Sequence, residues 1–426
     1  MQIRSLLGIV AMLGLLYVFS SNRKAIKWRL VMMGMGLQLC LGFIFLKWDR
    51  GNLFLRGVGD WFKELLEVAA AGATFIFGSI GPPAPLPPGA EAAASAGPSL
   101  GFIFATWVLP TLIFFSSLMA VLYHLGVMQF VVRKMARLMA ILMGTSGSES
   151  LSACSNIFVG QTEAPLMVKP YIGRMTRSEI HAIMVGGYCT IAGGVFALYV
   201  GFGVEPGHLM VASVMAVPAG LVCSKILMPE TEESETMGKV VDLAKSEAGG
   251  VVEAASNGAI DGLQLALNVG GMLIAFLGLV AVANWMLGGI ELPWSSTGID
   301  GESTKLSIEL ILGYVFYPIA YALGADPSET MYLSELLGKK IVLTELVAYQ
   351  EMKSMVEAGL IGERTKLIAS FALCGFANLG SVAIQIGGLG AMAPERRGEI
   401  AKLAVKAMWC GALVTCMTAA MAGLLS

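Results

Sequence analysis

Charge is what this sequence is shortest of. Charged residues fill 14% of its 426 positions and hydrophobic ones 56%, whereas a soluble domain carries about 25% charge because its surface faces water. With a mean hydropathy of +0.74, the chain cannot cover a globule with charge. The shortage excludes a disordered chain and an ordinary cytosolic enzyme, and a net charge of −2 excludes a nucleic-acid partner. The cysteines (Cys40, Cys154, Cys189, Cys223, Cys374, Cys410 and Cys416) are odd in number and fall mostly in apolar stretches without metal-ligand spacing. Neither a disulfide framework nor a zinc site is expected. Histidine is scarcer still: His124, His181 and His208 read as packing or interfacial residues rather than a proton relay. What remains is a polytopic membrane protein, with a lipid bilayer as its outer solvent.

Marking every Asp, Glu, Lys and Arg leaves eight charge-free spans: Ser5–Asn22, Leu30–Leu46, Leu100–Val132, Ile180–Val204, Pro206–Ser224, Gly262–Ile290, Leu367–Pro394 and Ala407–Ser426. Each is long enough, or nearly so, to cross a bilayer as a helix. Arg4 before a short apolar core resembles a signal peptide, but no A-x-A-like site follows, so an uncleaved helix is expected. Arg23, Lys24, Lys27 and Arg29 against Arg4 alone place the first loop in the cytoplasm and the N-terminus outside. Counting onward puts Pro82–Pro98 outside, and Arg133, Lys134, Arg137, Lys169, Arg174, Arg177, Arg396, Arg397, Lys402 and Lys406 inside. The count works only if the hydrophobic regions Ser150–Val168 and Leu310–Gln350 each enter and leave by one face. Both are therefore expected to be re-entrant hairpins, the first from the cytoplasm and the second from outside. The acidic Pro229–Ala255 segment reads as a solvated or interfacial helix between two bundles. The expected fold is an all-α integral membrane protein with eight transmembrane helices plus two oppositely oriented re-entrant helical hairpins.

The two hairpins resemble each other. Gly160-Gln161-Thr162-Glu163-Ala164-Pro165 interrupts one apolar run and Leu343-Thr344-Glu345-Leu346-Val347 the other, so each sets a Thr-Glu pair at its tip. After each comes an apolar span broken by small and polar residues: Thr190-Ile191-Ala192-Gly193-Gly194-Val195, then Asn378-Leu379-Gly380-Ser381. Such residues weaken a helix and free backbone groups. A hairpin and a broken helix repeated with opposite insertion is the inverted-repeat arrangement with which secondary transporters bind substrate near the midplane. An ionised carboxylate at that depth costs a few kcal/mol by insertion scales of roughly 2.5–3.5, so Glu163 and Glu345 should face a wet cavity or a partner.

A carboxylate accepts hydrogen bonds and donates none, which suits a vicinal diol or the N–H edge of a neutral heterocycle. Gln161 and Asn378 offer both an acceptor and donors, and Thr162 and Ser381 add hydroxyls. This set contains no Arg or Lys for a phosphate or carboxylate substrate. It matches an uncharged, hydroxyl-rich solute. The methionines, 26 in number, read as packing, and Gly144-Thr-Ser-Gly-Ser148 reads as a hairpin turn rather than a phosphate loop. Two other classes, an intramembrane enzyme using Glu163 and Glu345 as an acid/base pair and a nutrient channel or receptor, remain as alternatives.

Four ordered blocks, Asn156-Ile-Phe-Val-Gly-Gln-Thr-Glu-Ala-Pro165, Gly186-Gly187 with Thr190-Ile-Ala-Gly-Gly-Val195, Thr344-Glu-Leu-Val-Ala-Tyr349 and Ala372-Leu-Cys-Gly-Phe-Ala-Asn-Leu-Gly-Ser381, resemble the signature blocks of the concentrative nucleoside transporter family. The likeness covers nearly the whole chain. It implies cation-coupled nucleoside uptake across a bacterial-type inner membrane by a homotrimer, with sodium as the coupling ion and the proton as the alternative. It also implies a transport domain moving against a trimerisation scaffold. Residues 1–132 and 229–290 would be scaffold, and residues 133–228 and 305–426 the transport domain. The resemblance assigns nucleobase contacts to Gln161, Thr162 and Glu163, ring packing to Val195, and ribose contacts to Glu345, Asn378 and Ser381. It assigns sodium to the side chains of Asn156 and Thr190 and the carbonyls of Val159 and Ile191, a set of hard oxygens. Where the family usually reads Asn-Glu-Phe-Val-Ala-Tyr, this chain has Thr344 and Leu346, which trims an amide and an aromatic ring beside the ribose carboxylate.

Overall fold

The computed structural model describes residues 1–82, 103–107, 109–238, 248–289 and 306–426, and within them every regular element is a helix. Most of the Pro82–Pro98 segment, and residues 239–247 of the acidic segment, lie outside the described residues. Helix α1 (Gln2–Val18) and α2 (Trp28–Gly42) are followed by α3 (Asp49–Phe77). A helical turn at Phe104–Trp107 precedes α4 (Leu109–His124) and α5 (Val127–Met143). The next stretch is broken: α6 (Gly147–Ser155), α7 (Glu163–Leu166), α8 (Lys169–Ile172), α9 (Arg177–Cys189) and α10 (Gly193–Gly201). Then come α11 (Pro206–Leu227), α12 (Val251–Leu287), α13 (Ile308–Leu323), α14 (Thr330–Val342), α15 (Glu345–Glu357), α16 (Glu363–Leu373), α17 (Leu379–Met392) and α18 (Arg397–Leu425).

Several boundaries differ from the charge-free spans. The span drawn from Leu100 to Val132 is two elements, because Gly126 turns left-handed (φ 81) and ends the apolar helix before the amphipathic α5. The region drawn from Leu310 to Gln350 as one hairpin is three helices. There α13 packs along α14, and only α14 and α15 form a pair about the Leu343–Thr344 bend. Helix α12 starts at Val251, inside the segment read as a separate interfacial helix, and α18 starts at Arg397, ahead of Ala407. Charges on a long helix's solvent-facing end do not stop it, so a charge-free window underestimates such helices. Helix α3, 29 residues long and amphipathic, carries too many charges for any such window to find.

Five helical stretches among the described residues are long and apolar enough to cross a membrane: Trp28–Lys47, Phe104–His124, Pro206–Leu227, Val251–Leu287 and Pro394–Leu425. They split into two kinds. Helix α11 is 89% buried over its apolar window and α18 78%, whereas that of α12 is 12% buried and that of the Phe104–His124 stretch 18%. The inner pair forms the core on which α1, α2, α9 and α16 pack. The outer pair lies against itself, with Gly258 and Gly262 of α12 on the backbone of α4 at Leu112, Ser116 and Ser117, the small-xxx-small approach of membrane helices. Its other face shows Ile260, Leu267, Ile274, Trp285 and Met286, a surface that water would not tolerate and lipid would.

The basic clusters assigned to one side converge at one end. The Ser21 N–H donates to the Leu227 carbonyl, Arg177 pairs with Glu399 at 3.2 Å, Arg174 pairs with Glu235 at 3.1 Å, and Arg396 reaches the Ile172 and Met175 carbonyls. The N-terminus lies at the other end, where Arg4 donates to the Ala325 carbonyl and Gln2 to that of Ser426. At the basic end Lys225 is buried, with Nζ 2.6 Å from Glu149, 3.4 Å from Glu230 and 2.8 Å from the Ser178 hydroxyl. Glu149 also completes a capping box with Ser146, so the start of α6 is tied to α11 by a dry ion pair.

Candidate functional site

Two interruptions lie at the centre of the molecule. Helix α9 ends at Cys189 and α10 begins at Gly193; α16 ends at Leu373 and α17 begins at Leu379. The two breaks touch. A side chain at Gly375 (φ +150) would strike the Tyr188 carbonyl, the Cys189 backbone and the Thr415 methyl, so only glycine fits. The polar residues around the breaks restart helices: Asn378 Oδ1 accepts from the Ser381 N–H at 2.8 Å to cap α17, and Thr344 Oγ1 accepts from the Val347 N–H to cap α15.

One chain of hydrogen bonds links the halves. Glu345, 3% exposed, accepts from the Asn378 amide (2.9 Å) and the Tyr199 hydroxyl (2.9 Å). The cap described above carries the chain from Asn378 to Ser381, and the Gln161 amide donates to the Ser381 hydroxyl (3.2 Å). Gln385 closes the array by donating to Gln161 Oε1 (3.2 Å) and the Met184 carbonyl (3.0 Å). Side chains more than 200 residues apart in sequence thus form one buried polar array. Gly187 leaves the room for Gln161 and Gln385 against α9.

Of the residues expected to contact a ligand, Gln161, Glu345, Asn378 and Ser381 are members of this array. Thr162 is half-buried with its methyl beside Gly388 of α17, one turn beyond Gln385. Val195 is buried on α10, one turn before Tyr199 and so on the same helix face. Glu163 is exposed and stands outside the array, its carboxylate against Gly160. Tyr199 and Gln385 were missed. A lone amide in the apolar run Leu379–Met392 was a usable signal for Gln385; Tyr199, in an apolar helix, offered none. Tyr199 is held by Tyr349, whose ring centroid is 4.6 Å away and whose hydroxyl donates to the Ser370 carbonyl.

The oxygen set at the first break is also brought close. Asn156 is fully buried beside Gly186, its amide donates to the Ser152 carbonyl (3.0 Å), and its Oδ1 has no hydrogen-bond partner among the described residues. Thr190 follows the last residue of α9, one turn beyond Gly186; its hydroxyl donates to the Gly186 carbonyl (2.8 Å), and its lone pairs accept no bond from the described residues. The Phe158 carbonyl accepts from the Gly193 N–H (3.0 Å), fastening the 156–162 turn to the break that holds Ile191. A buried amide oxygen without a donor costs about 1–3 kcal/mol, and a cation would relieve it. Val159 and Ile191 sit in these two irregular segments, where carbonyls are released from helical bonding.

Three family models match successive parts of the chain: "Na+ dependent nucleoside transporter N-terminus" over residues 7–80, "Nucleoside recognition" over 105–205 and "Na+ dependent nucleoside transporter C-terminus" over 208–423. An uncharacterized transporter of Bacillus subtilis is 43% identical over 98% of this chain and 98% of its own length. Sodium/nucleoside cotransporter 1 of Mus musculus is 39% identical over 100% of this chain and 64% of that longer protein. Among solved structures, CNTnw in an inward-facing substrate-bound state matches with a TM-score of 0.88 and 40% identity over 99% of this chain and 98% of that one. A doubly substituted CNTnw in an outward-facing state matches with the same TM-score, 39% identity and coverage of 100% and 97%.

Proposed function

The chain belongs to the concentrative nucleoside transporter family, and on that premise we propose that it takes up nucleosides across a bacterial-type inner membrane in symport with sodium. It is a multi-pass membrane protein, and its relatives are transporters and not enzymes, which removes the acid/base-pair alternative. The observation that carries the proposal is the buried array from Gln161 to Glu345, two halves of one hydrogen-bonding site whose members include the Glu345 carboxylate and no Arg or Lys for a substrate phosphate.

In this reading Gln161, Thr162 and Glu163 meet the nucleobase, Val195 packs against its ring, and Glu345, Asn378 and Ser381 take the ribose hydroxyls. Asn156 and Thr190, with the Val159 and Ile191 carbonyls, hold sodium, and the unpartnered Asn156 Oδ1 supports that assignment. Sodium there would order the 156–162 turn and complete the nucleoside site, and nucleoside would in turn tighten sodium. The eight-span topology, the inverted repeat and the homotrimer belong to the same reading. Helices α6–α8 form one re-entrant hairpin and α14–α15 the other. The transport domain (133–228 and 305–426) moves against a scaffold (1–132 and 229–290) in alternating access. The contrast between the buried α11 and α18 and the outward-facing α4 and α12 supports a division between those two pairs, whereas α1 and α2 pack on the buried pair.

Uptake of radiolabelled uridine and adenosine into proteoliposomes tests the proposal. Accumulation is expected with an inward sodium gradient and not with a proton gradient alone. Accumulation under a proton gradient only would replace the coupling ion, and none under either would end the proposal.

A further inference from the structure

Lys340 on α14 is 1% exposed at the centre of the second half. Its ammonium donates to the Ala372 carbonyl (2.8 Å) and to the Thr415 hydroxyl (2.8 Å), and among the described residues no carboxylate pairs with it. The neighbouring Lys339, also buried, is different, pairing with the partly exposed Glu351. Ala372 belongs to the last turn of α16, where released carbonyls and the helix dipole concentrate negative charge. Thr415 touches the space beside Gly375, which rests on the Tyr188–Cys189 backbone of the first break. The ammonium therefore joins three helices, α14, α16 and α18, at the point where the second break begins.

Among the described residues the first break has no such group. There the unpartnered oxygen of Asn156 and the free lone pairs of Thr190 await a cation from outside. Glu345, five residues after Lys340 and across the Leu343–Thr344 bend, is a buried carboxylate whose hydrogen-bond partners, Tyr199 and Asn378, are both neutral. Two opposite charges buried in one hairpin, each satisfied by neutral groups, lower each other's cost without touching. We propose that Lys340 is a tethered cation that does for the second broken helix what an exchangeable sodium does for the first. It pins the carbonyl end of α16 so that Asn378 and Ser381 are held in place, and supplies the counter-charge that keeps Glu345 ionised for the nucleoside. Lys340 is thus a positioning residue for the nucleoside site, and the inference rests on the nucleoside and sodium reading above.

The test uses the full-length protein in detergent, with uridine binding by calorimetry and sodium binding measured without nucleoside. Lys340→Met is expected to weaken uridine binding on the order of 100-fold while sodium affinity stays within about threefold. Loss of both affinities together, or of neither, would overturn the role. A double-mutant cycle on thermal unfolding supplies a readout that simple packing would not move. Lys340→Met/Glu345→Gln is expected to melt above Lys340→Met alone, because the second change removes the uncompensated carboxylate. Additive losses would overturn the counter-charge. If Lys340→Met does not fold, Thr415→Val keeps the charge and removes one of its acceptors; about fivefold weaker uridine binding with unchanged sodium affinity is expected, and unchanged uridine binding counts against the proposal. Failure of the unaltered protein to bind uridine would instead fall on the nucleoside reading, and the melting cycle would still judge the charge pairing.

Discussion

The two Thr-Glu pairs read alike in sequence and are built differently. Thr344 is extended (φ −153, ψ 159), caps a 13-residue helix and puts Glu345 into the core, where Tyr199 and Asn378 hold it. Thr162 is already helical (φ −96, ψ −34), caps nothing and leads into a four-residue helix with Glu163 exposed. The ion pairs differ too. The first hairpin is tied at its start by the dry Lys225–Glu149 pair, while the Lys339–Glu351 pair of the second bridges its two helices near the bend and is partly exposed. One hairpin thus has a firm start and an irregular tip, and the other a firm tip. In the symport reading this is the useful division: the tip that a soluble cation must order is the one with few bonds of its own.

The largest expected effect probes these ion pairs. Lys225→Met leaves Glu149 and Glu230 buried without a counter-charge and should cost about 3–5 kcal/mol, whereas Lys339→Met should cost under about 1 kcal/mol. Thermal unfolding of both variants measures the contrast, and equal losses would erase it. Next come the tips. Glu345→Gln exchanges a carboxylate holding two donors for a weaker acceptor and should lower uridine affinity about 100-fold, with Glu163→Gln closer to tenfold. The Glu345 loss should shrink for the 2',3'-dideoxy analogue, and an equal fall for both ligands breaks the ribose assignment. The smallest effect is local: Thr344→Ala should cost about 1 kcal/mol as a lost cap, against under about 0.5 kcal/mol for Thr162→Ala. Denaturant midpoints in one detergent would separate them.

The helical, membrane-embedded class was legible because it depends on composition, and the breaks were legible because glycine and short polar side chains act on their own helix. The break positions came within a few residues: Asn378 proves to be the cap that ends the second break rather than its start. Less was visible of what lies between elements. A hydropathy count does not place the boundary between α13 and α14, since α13 is apolar and α14, with Glu335, Lys339 and Lys340, follows after a short turn. It treats Tyr199 as one more lipophilic residue, although its hydroxyl is half of Glu345's environment. Nothing in the sequence marks Lys340, since a lysine next to another lysine has the pattern of a surface pair.

By itself the sequence determined that lipid would replace water, which loops carry positive charge, where two helices must come apart and which polar residues stand at those breaks. Each follows from residue types acting on their solvent or their immediate neighbours. Only the tertiary structure decided that the breaks meet at Gly375, that Gln161 and Ser381 share a hydrogen bond across 220 residues, that Glu345 is buried while Glu163 is not, and that Lys340 faces Ala372 and Thr415. Those facts depend on how helices cross, which the chain settles only when distant backbones compete for the same small space.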